Sequence, residues 1–252
     1  MTVVVITGAS SGLGAALAKQ YANNNTRLYL CARHAKRLES VAQVCREKGA
    51  DVKTALQEIT DLGRLEEWAA QINNECTPDL LIANAGVFHG HARDAMESPD
   101  EIKQQLNTNL LGTINTVNAF IPVLKKQRKG HIILISSLAA IFPLADAPSY
   151  SASKAGIVAY AKAMREYLLD FHVKVSVVLP GHIQTPQTDK HQGELPGIIS
   201  AEKAAQTIAS QVEKENFFIV FPKTGYWLIR LSAFLPWRLL ARLNRSQRFY
   251  VE

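Results

Sequence analysis

Seven short apolar runs recur through the first 221 residues, each separated from the next by an amphipathic stretch. Val3–Ile6, Arg27–Ala32, Val52–Leu56, Leu80–Ala83, His131–Ser136, Val173–Leu179 and Phe217–Phe221 are rich in Val, Ile and Leu. Their hydrophobicity is continuous rather than alternating, so each strand must be covered on both faces, the condition of a parallel sheet packed between helices. The stretches near 12–24, 35–48, 62–74, 99–126, 150–170 and 201–213 carry helical periodicity. The fourth has a defined start in Ser98-Pro99-Asp100-Glu101: serine caps, proline suits the first helical position, and Glu101 can reach back to close a capping box. Strand–helix alternation at this spacing predicts an α/β, doubly wound fold with a mostly parallel seven-stranded sheet and helices on both faces. No internal repeat, low-complexity run or linker interrupts the pattern. Residues 1–221 therefore read as one domain, and residues 222–252 as a basic amphipathic extension of it.

Charge and cysteine usage exclude several function classes. The chain carries 28 Lys+Arg against 22 Asp+Glu, a formal +6. Six of those basic residues (Lys223, Arg230, Arg238, Arg242, Arg245 and Arg248) lie beyond Phe221, with Glu252 the single acidic one there. The body is thus near neutral, and nothing in it asks for a nucleic-acid partner. Cys31, Cys45 and Cys76 are odd in number and dispersed, with no metal-ligand spacing, as reduced thiols are. Met1-Thr2 leads straight into Val3-Val4-Val5-Ile6, too short and uncharged for a secretory leader. No window reaches the roughly 18 apolar residues of a spanning helix. A cytoplasmic protein is expected.

Thr7-Gly8-Ala9-Ser10-Ser11-Gly12-Leu13-Gly14 follows the first strand and opens the first helix. Glycines at such a turn let backbone approach a pyrophosphate closely, while the helix N-terminus presents free N–H groups to the anion. A tight strand-to-helix turn is the bland alternative, but the position after an N-terminal strand favours a dinucleotide cradle of the Rossmann type. A second strand serving a free ribose 2′-hydroxyl should end in a carboxylate. Here no Asp or Glu occurs from Ala15 to Leu38, and the strand ends Cys31-Ala32-Arg33-His34 with Lys36 and Arg37 beyond. A guanidinium can fork onto a 2′-phosphate, which favours NADP(H) over NAD(H). A solvated basic start to the second helix is the alternative.

Tyr150-Ser-Ala-Ser-Lys154 sets a phenol and an ammonium four residues apart, on one helical face. The fifth strand ends Ile135-Ser136-Ser137, which puts a hydroxyl at the carboxyl edge of the sheet, where such folds bind ligands. Together with the glycine cradle these residues make the chain resemble a single-domain short-chain dehydrogenase/reductase. Asn84-Ala85-Gly86 after the fourth strand, Asn109-Leu-Leu-Gly112 within the fourth helix and Pro180-Gly181-His-Ile-Gln-Thr185 after the sixth strand extend the match to roughly residues 2–220. Two positions depart from the family pattern: Ala83 replaces the first Asn of N-N-A-G, and Glu58 stands where an Asp usually touches adenine.

The resemblance implies Asn109, Ser137, Tyr150 and Lys154 as catalytic residues. It also implies Gly8, Ser10, Ser11, Gly12, Leu13, Gly14, Arg33, Asn84, Ala85, Gly86, Tyr150, Lys154, Pro180, Gly181, Ile183 and Thr185 around the dinucleotide, with no metal. The expected reaction is hydride transfer between a ketone and a secondary alcohol, with Tyr150 as general acid/base, Ser137 holding the carbonyl oxygen and Asn109 holding a water that relays protons to Lys154. Moving a tyrosine from pKa about 10 to about 7 takes roughly 4 kcal/mol. One cation at ~4 Å in an effective dielectric of 20 supplies about that much. The family also implies a homodimer or homotetramer through the helices near 99–126 and 150–170. A non-catalytic dinucleotide sensor, or a sugar-nucleotide epimerase or dehydratase, remains as an alternative.

Other features are less specific. His89 and His91, two apart, suit a solvated or pocket-rim role, and His182 can touch substrate or nicotinamide. The polar stretch from Gln187 to Gly197 suits a substrate lid. Residues 225–237 are nearly all apolar, and past Pro236 an arginine face (Arg238, Arg242, Arg245) opposes Leu239, Leu240 and Leu243. Trp227 and Trp237 flank the apolar stretch as interfacial anchors do, so residues 225–248 either rest on an anionic membrane surface, peripherally, or cover the pocket or a subunit interface.

Overall fold

The computed structural model describes residues 1–91, 95–186, 188, 191–192, 197–222, 238 and 250–251. Nearly all of the sequence expectations for a lid at 187–197 and an amphipathic tail at 225–248 lie outside these residues. The strands of the main sheet are β1 (Thr2–Thr7), β2 (Thr26–Ala32), β3 (Asp51–Leu56), β4 (Leu80–Ala83), β5 (His131–Ile135), β6 (Lys174–Pro180) and β7 (Phe218–Phe221). The helices are α1 (Gly12–Tyr21), α2 (Ala35–Glu47), α3 (Leu62–Glu75), α4 (Pro99–Gln105), α5 (Gly112–Gln127), α6 (Pro148–Leu168) and α7 (Ala201–Glu213). Strand order is β7-β6-β5-β4-β1-β2-β3, and every pairing within this sheet is parallel. The order reverses between β1 and β4, which opens a crevice at their carboxyl ends.

Strand β1 shows why the apolar runs are unbroken. Val4 and Ile6 pack with residues of α1, α2 and α7 on one face, whereas Val3 and Val5 pack with α3, α5 and α6 on the other. Helix starts follow their caps. Ser98 accepts from the Glu101 N–H and the Glu101 carboxylate returns to the Ser98 N–H, so the box expected at α4 is complete. Asp61 and Ser200 cap α3 and α7 through the N–H groups of Arg64 and Lys203.

Two boundaries differ from the sequence pattern. Helix α1 stops at Tyr21 rather than near residue 24, because Asn23, Asn24 and Asn25 form a turn closed by Asn25 N–H to Asn23 Oδ1 at 2.9 Å. The single helix expected over 99–126 is divided by a π-helical segment, Leu106–Leu111, between α4 and α5. Segments of this kind are rare and gather at functional sites, and this one contains Asn109. Gly112 ends it, where any Cβ would lie 2.6 Å from Ile59 Cδ1.

At the opposite edge of the sheet, His131 on β5 is 6% exposed and its Nε2 lies 2.7 Å from Ser176 Oγ on β6, which donates to the Asn216 carbonyl ahead of β7. Burial pushes the imidazole down to about 4, with Lys174 adding to the effect. Between that value and the ordinary 6.5 the unfolded chain binds a proton that the fold refuses, so stability falls as pH drops through this window. Replacing His131 with Gln is expected to remove about 3 kcal/mol of the stability lost between pH 6.5 and 4. Urea unfolding at the two pH values checks this.

Candidate active site

At the end of β1 the chain turns so tightly that side chains cannot be accommodated. Gly8 has φ +69°, and a Cβ there would meet Ala85 Cα at 2.6 Å. A Cβ on Gly14 would fall 2.2 Å from the Gly8 carbonyl oxygen and 2.5 Å from Asn84 Nδ2. Gly12 has φ +52°, and a Cβ there would meet the Thr185 methyl at 3.1 Å. Asn84 holds the turn from the β4 side, donating from Nδ2 to the carbonyls of Thr7 at 3.0 Å and Gly8 at 3.2 Å. Its own N–H, and that of Ala85, reach Thr7 Oγ1. Ser11 precedes α1 without capping it by its side chain, so the first-turn N–H groups of Gly12, Leu13 and Gly14 have no intrahelical acceptor. Ser10 and Ser11 are partly exposed beside them. The result is a bare backbone concavity at a helix N-terminus, suited to a pyrophosphate and too close for side chains. Pro180 ends β6, the Gly181 N–H bonds Phe221 O at 2.8 Å, and Ile183 is buried against the α1/α7 layer. Thr185 is thereby laid over Gly12.

The second half of the site sits one strand further along. Ser136 and Ser137 leave β5 together: Ser136 Oγ donates to the Lys154 carbonyl at 2.8 Å, which locks α6 to the strand end. Ser137 accepts from the Ala139 N–H at 3.1 Å and is hydrogen-bonded to Tyr150. Lys154 is 5% exposed, with Nζ 5.6 Å from the Tyr150 ring centre and donating to the Ile135 carbonyl at 3.0 Å. Asn109 is fully buried, exchanging two bonds with the Val87 backbone and donating to Ser153 Oγ at 3.2 Å. Gly86 joins these groups, since a Cβ there would lie 3.1 Å from Asn109 Oδ1 and 3.6 Å from Lys154 Nζ. A phenol, a hydroxyl and an amine therefore converge beside the glycine cradle.

The model of the family described as short chain dehydrogenase matches residues 2–195. The chain belongs to the short-chain dehydrogenase family. It is 30% identical to dehydrogenase/reductase SDR family member 7B of Bos taurus over 98% of this chain and 82% of that one. It is 32% identical to a 3-ketodihydrosphingosine reductase of Bacteroides thetaiotaomicron over 77% of this chain and 69% of that one. Among solved structures, a short-chain dehydrogenase from Sphingobium yanoikuyae in complex with NADPH superposes with a TM-score of 0.81 at 22% identity, covering 92% of this chain and 93% of that one. One from Burkholderia phymatum in complex with NAD gives 0.83 at 22% identity, covering 92% of each.

In this short-chain dehydrogenase burial is the leading influence on the ionisation of both Tyr150 and Lys154. Burial raises the Tyr150 phenol above its ordinary range, with the Ser137 hydrogen bond opposing, and burial pulls Lys154 down to about 8. Arg33 stands at the end of β2 as expected, exposed, with Nη1 3.8 Å from Glu58 Oε1 and both side chains about half exposed. Such a pair holds by roughly 1 kcal/mol or less, so the guanidinium is readily drawn to a stronger anion. His34, Lys36 and Arg37 are exposed nearby.

His89 and His91 flank Glu101 at 3.9 and 3.3 Å, and the Ile199 N–H reaches the His182 carbonyl. Among the described residues no group of three His, Cys, Asp or Glu could hold a metal, and no helix is long and apolar enough to cross a membrane. All three cysteines are free thiols, and burial pushes Cys31 up to about 12.

Several residues that shape the site escaped the sequence reading. Phe88 packs edge-on against Tyr150 with ring centres 4.9 Å apart, Ser153 receives Asn109, and Glu97 and Gln105 bind Ser149. Gln105 carried a readable signal: a polar residue one turn before Asn109 on the same helical face.

The buried ammonium of Lys154 costs folding energy. Its pKa is about 8 in the fold against 10.5 outside it, so between these values the unfolded chain binds more protons and stability rises with pH. Lys154→Met is expected to raise stability at pH 7 by about 2 kcal/mol: about 3 from the ammonium, less about 1 for the lost bond to Ile135. It should also abolish the rise between pH 8 and 10.5. Urea unfolding across this range measures both effects.

Proposed function

We propose that this short-chain dehydrogenase is an NADP(H)-dependent oxidoreductase that interconverts a bulky hydrophobic ketone and its secondary alcohol. The carrying observation is the convergence of Ser137, Tyr150 and Lys154 beside the glycine cradle. Gly8, Ser10, Ser11, Gly12, Leu13 and Gly14 would hold the pyrophosphate, and Arg33 the 2′-phosphate. Asn84, Ala85, Gly86, Pro180, Gly181, Ile183 and Thr185 would line the remaining length, with Tyr150 and Lys154 against the nicotinamide ribose. The cofactor, when bound, supplies hydride to a carbonyl carbon.

The chain's own residues do the rest. Ser137 donates to the carbonyl oxygen and fixes its direction, which favours negative charge developing there. Tyr150 gives its proton to that oxygen. Burial keeps the phenol protonated at neutral pH, which suits the reductive direction. The Lys154 ammonium, 5.6 Å from the ring centre, steadies the phenolate left behind by about 3 kcal/mol at an effective dielectric of 20. Asn109 secures the loop and helix around a proton path to Lys154. A non-catalytic sensor would have no use for all four groups.

The absence of a carboxylate from Ala15 to Leu38 supports NADP(H), and the apolar 225–237 stretch supports a hydrophobic substrate. The name of the Bacteroides relative, 3-ketodihydrosphingosine reductase, points the same way. Tyr150→Phe is expected to lower ketone-dependent NADPH oxidation by at least about 10³-fold across a panel of long-chain and ring ketones. NADPH affinity, followed by fluorescence, should stay near that of the parent chain. Full activity in that variant would refute the tyrosine's role, and equal kcat/KM with NADH would refute the cofactor preference.

The outer face of α5 and α6 supports self-association. Ile114, Ile121, Pro122, Tyr160, Met164 and Tyr167 line an open, mainly apolar groove there, of the kind that marks interaction surfaces. Light scattering is expected to give a dimer or tetramer, and a monomer mass at micromolar concentration would remove this part of the reading.

A further inference from the structure

Gln105 and Asn109 lie one turn apart and reach across to α6 in parallel. Gln105 Nε2 donates to Ser149 Oγ at 2.7 Å, and Asn109 Nδ2 to Ser153 Oγ at 3.2 Å. Each also grips the chain leaving β4: Gln105 Oε1 accepts from the His89 N–H at 3.0 Å, and Asn109 Oδ1 from the Val87 N–H at 2.7 Å. The two contacts form rungs of one ladder, but only the Asn109 rung belongs to a family motif.

The Gln105 rung has a third member. The Glu97 carboxylate accepts from the Ser149 N–H at 3.0 and 3.2 Å, from the Ser149 hydroxyl at 2.7 Å and from Gln105 Nε2 at 3.0 Å. Ala147, at the start of α6, offers no side-chain cap, so Glu97 caps that helix from a distant part of the chain. Glu97 directly precedes Ser98, the cap of α4, and therefore stands where two helices begin. Ser149 directly precedes Tyr150.

We infer that Glu97 and Gln105 are positioning residues for Tyr150, clamping the first turn of α6 through Ser149 against the loop that carries Phe88. The inference rests on Tyr150 being the proton donor. Gln105 is fully buried and Ser149 is 8% exposed, so a mismatched donor there has little water to turn to. The donors to be matched are the N–H and O–H of Ser149, the amide of Gln105 and the N–H of His89. Glu97 is an acceptor only. In Glu97→Gln the new NH₂ meets the Gln105 amide where it takes the Oε1 place, and the Ser149 N–H where it takes the Oε2 place. Turning Gln105 over would then set its NH₂ against the His89 N–H, so one donor–donor conflict persists either way. In Gln105→Glu two carboxylates face each other. Exchanging both residues restores the match, with the amide at 97 donating to the carboxylate at 105 and each remaining donor finding an oxygen.

The experiment compares kcat, KM and NADPH Kd for Glu97→Gln, Gln105→Glu and the exchanged pair, with Tyr150→Phe as reference. Each single variant is expected to lower kcat about tenfold through misplacement of Tyr150, with NADPH Kd held within about twofold. The exchanged pair should recover to within about threefold of the parent kcat, a coupling that independent structural losses would not show. Single variants with parental kcat, or an exchanged pair slowed by the product of the two, would overturn the inference. Should a single variant fail to fold, the exchanged pair decides: near-parental kcat supports the clamp, while a loss beyond about tenfold or failure to fold overturns it. An active Tyr150→Phe would sink the reading beneath it. An inactive Tyr150→Phe beside parental Glu97→Gln would sink the clamp alone.

Discussion

Everything at the carboxyl edge of the sheet depends on how closely β1 and β4 backbones meet through Asn84. Its amide bonds two consecutive carbonyls, of Thr7 and Gly8, while Thr7 Oγ1 takes the N–H groups of Asn84 and Ala85. The approach leaves no room for a Cβ at Gly8 or Gly14. The first turn of α1 is therefore presented bare, and the chain leaving β4 passes directly on to Gly86 and Val87. Those two residues meet Asn109 and Lys154. The glycine turn and the groups around Lys154 are thus parts of one hydrogen-bonded frame rather than separate clusters brought near each other.

The same frame buries Lys154 and covers part of Tyr150. An ammonium held near its ionisation point is a costly arrangement, offset by the packing of α6 on β5 and by the Ser136 bond to the Lys154 carbonyl. Stability and chemistry pull in opposite directions at Lys154, as is common where a site needs a charge in a dry place.

Much of this was readable from the chain because its determinants are local. Continuous apolar runs reported strands covered on both faces, and β1 divides its side chains between the two layers as that pattern requires. The glycine spacing and the four-residue step from Tyr150 to Lys154 each lie within one turn or one helix, so residue order alone carries them. What escaped is non-local or register-dependent. The π segment changes the helix by a fraction of a residue per turn, and an apolar pattern over 99–126 accommodates it as easily as a plain helix. Glu58 beside Arg33 comes from the loop after β3, and Glu97 over Ser149 spans half a hundred residues, so neither pairing leaves a mark in the spacing. The step from Tyr150 to Lys154 is legible in the residue order, whereas their burial is not, because it is set by the elements packed around them.

The widened turn at Leu106–Leu111 carries an implication for how this helix can change over evolutionary time. Gln105 and Asn109 stand four residues apart, the same step that separates Ser149 from Ser153 on α6, and each meets its partner across the gap. Deleting one residue between them would rewind the segment and swing one of the two side chains about 100° around the axis. A change of length between Gln105 and Asn109 is therefore costlier than one in an exposed loop.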